Sequence, residues 1–399
     1  MNHKKYSKHL VDFIKNSPTP FHAVANMQGS LDAAGFQHLK EEDRWQLSNG
    51  RGYYVIRSDS SIIAFIFGIK PSIETGIRLV GGHTDSPCLK IKPQPEVYKS
   101  AYYQLGVEVY GGALLGPWFD RDLSIAGKVS YQTEKGELKE SLIDMKRPVG
   151  IIPSLAIHLD RDVNNNRSIN PQTDMLPILY KCGDTREDFR SILAKELPPS
   201  THSDSVSILD YDLCFYDCQS PALIGFKEDF ISSARLDNLL SCFAGLQALL
   251  NSNRKITSIL ACYDHEEVGS TSAIGANGSF LESLLDRIYS EPEEKSRVMA
   301  QSILISTDNA HGVHPNFPNK HDENHAPVIN EGLVIKVNAN QRYATNSLTS
   351  SFLKNLCKKI GVPTQYFVSR GDVSCGSTIG PITAANIGVK TIDIGVPTF

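Results

Sequence analysis

Apolar residues at Tyr6, Leu10, Val11, Phe13 and Ile14 recur at helical spacing over residues 3–16, and Ser17-Pro18-Thr19-Pro20 ends the pattern. A second helix is predicted over 21–34. Residues 53–68 read instead as a hairpin, with Ser58-Asp59-Ser60-Ser61 turning between two apolar strands. From about residue 235 the period alternates. Helices are predicted at 237–252, 278–290, 345–360 and 378–386, and strands at 256–263, 302–307, 333–338, 364–369 and 389–395. That alternation predicts an α/β fold, a central, mostly parallel sheet flanked by helices. The middle of the chain is different. It holds short β-like runs (Tyr102 to Tyr110, Ser124 to Tyr131), many turn residues and a polar loop from Pro198 to Ser205. This pattern predicts an α/β domain formed by 1–94 and 232–399, interrupted by a mainly β domain over 95–231. No internal repeat or low-complexity tract is present.

Composition narrows the class. The chain has 399 residues, 41% hydrophobic and 21% charged, as in an ordinary globular protein. A net charge of −4 without a basic stripe excludes a general nucleic-acid binder. No apolar run approaches the roughly 18 residues that span a bilayer. The first residues lack the apolar stretch of a signal peptide, which predicts a cytoplasmic protein that uses no membrane. Eight cysteines are scattered, and Cys242, Cys262 and Cys357 fall in apolar patterns, as reduced core residues do. Cys214 and Cys218 lack a second pair and do not make a zinc ribbon.

Four segments carry the chemistry. Asp264-His265-Glu266-Glu267-Val268-Gly269-Ser270 follows the apolar run Ile256 to Tyr263. Within a strand, adjacent glutamates point to opposite faces; at its carboxyl end the chain turns and both can reach one site. His83 closes another apolar run, with Asp85 two residues on and able to orient the imidazole. Asp237 begins a helix, where a plain N-cap is the ordinary explanation. Asp308 ends the strand Ile303 to Thr307, with His311 and His314 just beyond. Singly, these read as an acidic turn, a loop histidine and a cap. Together they offer one imidazole and at least three carboxylates without thiolate, a set suited to zinc, manganese or cobalt. Two divalent cations about 3.5–4 Å apart, bridged by a carboxylate, would activate water and grip a carbonyl. Other templates fail. There is no His-Glu-x-x-His, phosphate loop or Gly-x-Ser-x-Gly elbow. A glycosidase pair needs carboxyls at least about 5 Å apart across the scissile bond, which adjacent Glu266 and Glu267 do not provide. Gly371 to Ser377 reads as a tight turn before a helix.

The order His-Thr-Asp at 83–85, Arg-Leu-Asp-Asn at 235–238, Asp-His-Glu-Glu-Val-Gly-Ser at 264–270 and Asp-Asn-Ala-His-Gly at 308–312 resembles the aspartyl aminopeptidase family of co-catalytic metallo-aminopeptidases. Ser17 to His22, Trp118 to Leu123, Leu155 to Leu159, Val334 to Lys336 and Gln341 to Thr345 extend the resemblance over nearly the whole chain. It implies a zinc-exopeptidase-like fold and two divalent ions, with His83 and Asp308 on one, Glu267 on the other and Asp237 bridging. It further implies Glu266 as general base and Asp85 orienting His83. His311, Lys336 and Tyr343 would line the substrate pocket, and His158 would reach a partner's site. The substrate would be a peptide with a free N-terminal residue, preferably Asp or Glu, which Lys336 can pair. The inserted domain would mediate dimerisation, and dimers would build a dodecamer. One departure stands out. The family places a further histidine ligand, in Met-His-Ser, just after a strand like Val389 to Pro397, and this sequence runs only to Phe399. Two expectations follow: an active aminopeptidase in which His311 or His314 substitutes, or a truncated, impaired member that retains fold and assembly.

Overall fold

The computed structural model describes residues 3–183, 186–198 and 206–399; apart from Pro198, the predicted polar loop lies outside them. Two compact units emerge, residues 1–22 with 86–234, and 23–85 with 235–399.

The second unit is built on a nine-stranded sheet. Its strands in chain order are β1 (Gln37–His38), β2 (Gly52–Arg57), β3 (Ser61–Ile66), β4 (Arg78–His83) and β5 (Ser258–Tyr263), then β6 (Ile303–Thr307), β7 (Leu333–Lys336), β8 (Thr364–Phe367) and β9 (Lys390–Gly395). Their spatial order is β1-β2-β3-β5-β4-β6-β9-β7-β8. The four central strands β5, β4, β6 and β9 run parallel, while β3 and the β7–β8 pair run against them. β3 is buried along its whole length, which explains its unbroken apolar run. Helices Leu236–Leu250, Phe280–Ile288, Ser347–Ile360 and Ile379–Ile387 match the predicted periods within two residues. Helix Pro292–Gln301 went unpredicted. Only Val298 and Met299 of it are buried, so its apolar stripe is too thin to read, although Pro292 at its start and Glu293 and Glu294 in its first turn are helix-start signals. The core gathers Tyr263, Phe280, Leu284 and Leu304 with Ile63, Phe65 and Leu79.

The first unit carries a six-stranded, wholly antiparallel sheet around its own core of Leu89, Tyr103, Leu123, Phe189 and Phe215. The expected boundary at 94/95 falls inside one of its strands, Cys88–Lys99, so the unit starts at Ser86 and also takes residues 1–22. The polar run Thr84-Asp85-Ser86-Pro87 just before that strand is the turn signal that marks the crossing. The described cysteines form no disulfide with one another. No helix among the described residues is long and apolar enough to cross a membrane.

Candidate metal centre

β4 delivers His83 to its carboxyl end, 2% exposed. The ring Nδ1 lies 3.0 Å from the Asp85 carbonyl and 3.2 Å from Asp85 Oδ1. Both are acceptors, so Nδ1 carries the proton and Nε2 faces the other way. There it meets Asp237 Oδ1 at 3.3 Å, Asp308 Oδ1 at 3.7 Å and Glu266 Oε2 at 3.9 Å. A lone pair aimed at three carboxylates is repulsive unless a proton or a metal cation lies between them.

Asp85, 1% exposed, has a second task that its spacing from His83 did not reveal. Its Oδ1 accepts the amide N–H of Glu266 at 3.2 Å, and Oδ2 that of Glu267 at 3.1 Å. One buried carboxylate thus ties the histidine to the diglutamate turn. That turn is a single 3-10 turn, Glu266–Val268, entered through His265 at φ 65°. The amide of Asp264 donates to Ser61 Oγ, and its carboxylate accepts the His265 N–H, fixing the entry. Leaving β geometry here is what lets adjacent glutamates share a site.

Asp237 stands at a kink just before the regular helix: Arg235 is in the left-handed region, and Asp237 and Asn238 are non-helical. Asn238 Nδ2 donates to the Thr307 carbonyl at 2.8 Å, anchoring this segment to the end of β6. Asp308 follows directly, its amide donating to the Ile394 carbonyl at 3.0 Å. Gly395 permits that approach, because a Cβ there would sit 2.3 Å from the Asp308 carbonyl oxygen. His83, Asp237 and Glu267 each offer a donor atom within 4.8 Å of the other two.

The electrostatics are those of crowded anions. Burial, aided by Asp308, Asp85 and Asp237, outweighs the opposing charge of His83 and pushes Glu266 up to about 7. Burial likewise carries Glu267 to about 8, with Asp237, Glu266 and Asp85 adding to the rise. For His83 burial works downwards, but hydrogen bonding to Asp237, Asp308 and Asp85 prevails and holds its pKa well above the usual range. Asp308 goes the other way: burial opposes, but the Lys336 ammonium at 3.2 Å and His83 keep it well below ordinary carboxylates.

Of the remaining expected residues, Lys336 is 3% exposed and Tyr343 is buried beneath it, ring centroid 5.3 Å from Nζ. His311 packs edge-on against Phe367 at 5.6 Å, and desolvation, then Lys336, disfavours its charged form. His314 sits instead against Phe317 and Phe399. Neither His311 nor His314 joins the donor group around His83, so the expected substitution is not seen among the described residues. His158 lies in an exposed turn of the first unit. Sequence reasoning missed Asp393, 1% exposed in β9, whose carboxylate accepts from Thr378 Oγ1 and from the Ala344 amide, each at 2.6 Å. An isolated acid inside Thr391-Ile392-Asp393-Ile394 was the available signal.

Residues 13–399 match the family model described as aminopeptidase I zinc metalloprotease (M18). The chain belongs to the M18 family of zinc aminopeptidases. It is accordingly a metallo-aminopeptidase. "Probable M18 family aminopeptidase 2" of Pseudomonas syringae pv. tomato is 55% identical over 394 residues, covering 98% of this chain and 92% of the relative. Its counterpart in Pseudomonas fluorescens strain Pf0-1 is 57% identical over 392 residues, covering 98% and 91%. Among solved structures, the Ape4 and Nbr1 complex superposes with a TM-score of 0.92 at 39% identity, covering 99% of this chain and 80% of that one. The S. cerevesiae mApe1 dodecamer follows with 0.83 at 29% identity, covering 99% and 90%. The M18 fold, a central mostly parallel sheet with flanking helices, is the one expected from the sequence.

Proposed function

We propose that this M18 aminopeptidase works through two divalent ions, zinc first, held by His83, Asp237, Glu267 and Asp308. The observation that carries the reading is the convergence of Asp237, Asp308 and Glu266 on His83 Nε2, with Glu267 in the same donor group. Carboxylates crowded round one imidazole, with Glu267 raised first by burial and then by its neighbours' charge, are a donor set that a divalent cation neutralises. When bound, the ions supply Lewis acidity towards the scissile carbonyl and lower the pKa of the attacking water. Asp237, which reaches His83 and lies in Glu267's donor group, would be the ligand shared by the two ions. Glu266 is the general base: its carboxylate takes the water's proton and returns it to the leaving amine. Asp85 keeps the His83 proton on Nδ1 and holds the Glu266-Glu267 backbone.

Lys336 and Tyr343, with His311 beside them, form the substrate pocket, and the Lys336 ammonium favours an N-terminal Asp or Glu. The Lys336–Asp308 pair joins this specificity to the metal ligands. The mainly β unit serves dimerisation, with His158 directed to a partner's site, and the assembly is a homododecamer like that of the mApe1 structure. The test is hydrolysis of aspartyl-, glutamyl- and alanyl-p-nitroanilide by protein of measured zinc content. Two zinc ions per chain and turnover removed by Glu266→Gln are expected. Full activity of Glu266→Gln, or one ion per chain at full activity, overturns the reading. Light scattering tests the dodecamer.

A further inference from the structure

A cavity of about 310 Å³ opens on the α/β unit, lined by Asn338, Asn340, Arg342, Ser369, Arg370 and Ser374 among others. No lining residue is acidic. The volume holds about ten waters, so it takes a substantial polar group rather than one solvent molecule. Its two guanidinium groups differ. Arg370 is engaged, with Nε and Nη2 on the Asp372 carboxylate at 2.8 and 2.9 Å and Nη1 donating to the Asn319 carbonyl. Arg342 is exposed, and its guanidinium makes no ion pair or hydrogen bond with another described residue. The loop that presents it is set in place. Asn338 Oδ1 accepts the amides of Asn340 at 2.9 Å and Arg342 at 3.3 Å, and Ser377 Oγ donates to the Arg342 carbonyl at 3.3 Å.

This cavity lies behind the wall of the proposed substrate pocket. Tyr343 places its ring against Lys336, and Cys375, which lies on the cavity wall, packs against the apolar cluster that holds Tyr343. Lys336 already has Asp308 as its counter-ion, whereas the charge of Arg342 is uncompensated. In the proposed centre the amine and scissile carbonyl belong at His83, Asp237, Glu267 and Asp308 and the first side chain at Lys336 and Tyr343, so a second carboxylate held at Arg342 comes from later in the peptide. We propose that the cavity is a subsite for a carboxylate carried by the peptide beyond its first residue, with Arg342 as the pairing cation. It rests on the metal-centre reading for the position of the scissile bond. Guanidinium and carboxylate match as a fork of parallel N–H···O bonds, a preference worth about tenfold or more in binding.

The test compares wild type, Arg342→Gln and Arg342→Lys on two pairs of zinc-dependent substrates: Asp-Ala-Ala as free acid and as amide, and amidated Asp-Ala-Glu and Asp-Ala-Gln. Turnover of the amides by wild type reports the metal-centre reading alone; the ratios within each pair report the subsite. Wild type is expected to favour one carboxylate-bearing peptide about tenfold, expressed in KM. Arg342→Gln brings that ratio near unity, and Arg342→Lys keeps part of it. Preference for the free acid names the peptide terminus, and preference for Glu over Gln names an acidic side chain. Wild type with neither preference, or a preference that survives Arg342→Gln, overturns the proposal. So does a variant whose only change is in discrimination of Asp from Ala at the first residue.

Discussion

Asp85 and Asp393 are both buried carboxylates on which surrounding loops depend, and they fail in different ways. Asp85→Asn puts an amide NH2 where one of two backbone N–H groups now finds an acceptor, and weakens the hold on His83 Nδ1. Orienting groups of this kind are worth about 10–100-fold in metal affinity. Zinc competition against a chelator should show a loss in that range with little change in fold by circular dichroism; unchanged affinity would remove Asp85 from the site. Asp393→Ala strands the Thr378 hydroxyl and the Ala344 amide, both buried or partly so. Each unpaired group costs about 1–3 kcal/mol, so a drop in Tm by several degrees is expected. Asp393→Asn should fall between, since it keeps one acceptor oxygen. The residue's own position was readable as an acid in an apolar strand; its partners were not, because Ala344 and Thr378 reach it from separate loops.

Strand ends decide whether the acids become a site. β6 and β9 run parallel, and the chain leaves β6 at Asp308 against Ile394 and Gly395 of β9. Gly395→Ala forces a Cβ to 2.3 Å from the Asp308 carbonyl, and backbone cannot yield as a flexible side chain can. We expect this variant to displace Asp308 and lose zinc affinity and activity together, measured on protein that still folds; wild-type kcat/KM would show that the close approach is irrelevant. Periodicity located these strands well, because each is long enough and apolar enough to show its period. It did not show that Glu266 and Glu267 sit on a 3-10 turn, nor that Asp237 precedes the regular helix. Those depend on backbone angles at His265, Asp237 and Asn238 that sequence pattern does not encode.

For the whole molecule, the proposed centre sets metal and proton in competition for one cluster. Without metal, Glu266 and Glu267 titrate at about 7 and 8 against 4.5 in the unfolded chain, and His83 well above 6.5. The folded chain then binds more protons than the unfolded one from about pH 4.5 upwards, so its stability is present at pH 4.5 and declines as pH rises towards 8. Asp308, held low, contributes the opposite slope, only below its ordinary 3.8. Zinc replaces those protons, and its affinity grows with pH. Melting curves of chelator-treated protein should therefore fall from pH 5 to 8, while the rise in Tm on adding zinc grows over the same window. A zinc effect that shrinks with pH would count against the cluster.

The linear sequence determined the two-period layout, the α/β class and the family, because each follows from local spacing or from an ordered set of motifs; it also supplied the residues of the proposed centre. It also placed the diglutamate where a strand ends. Tertiary structure alone decided that Asp85 holds both His83 and the diglutamate backbone, that Lys336 answers Asp308, and that Arg342 faces a cavity with its charge uncompensated. These are contacts between elements far apart in the chain. Only packing brings their atoms within hydrogen-bond reach, and only burial makes crowded carboxylates a demand for a cation.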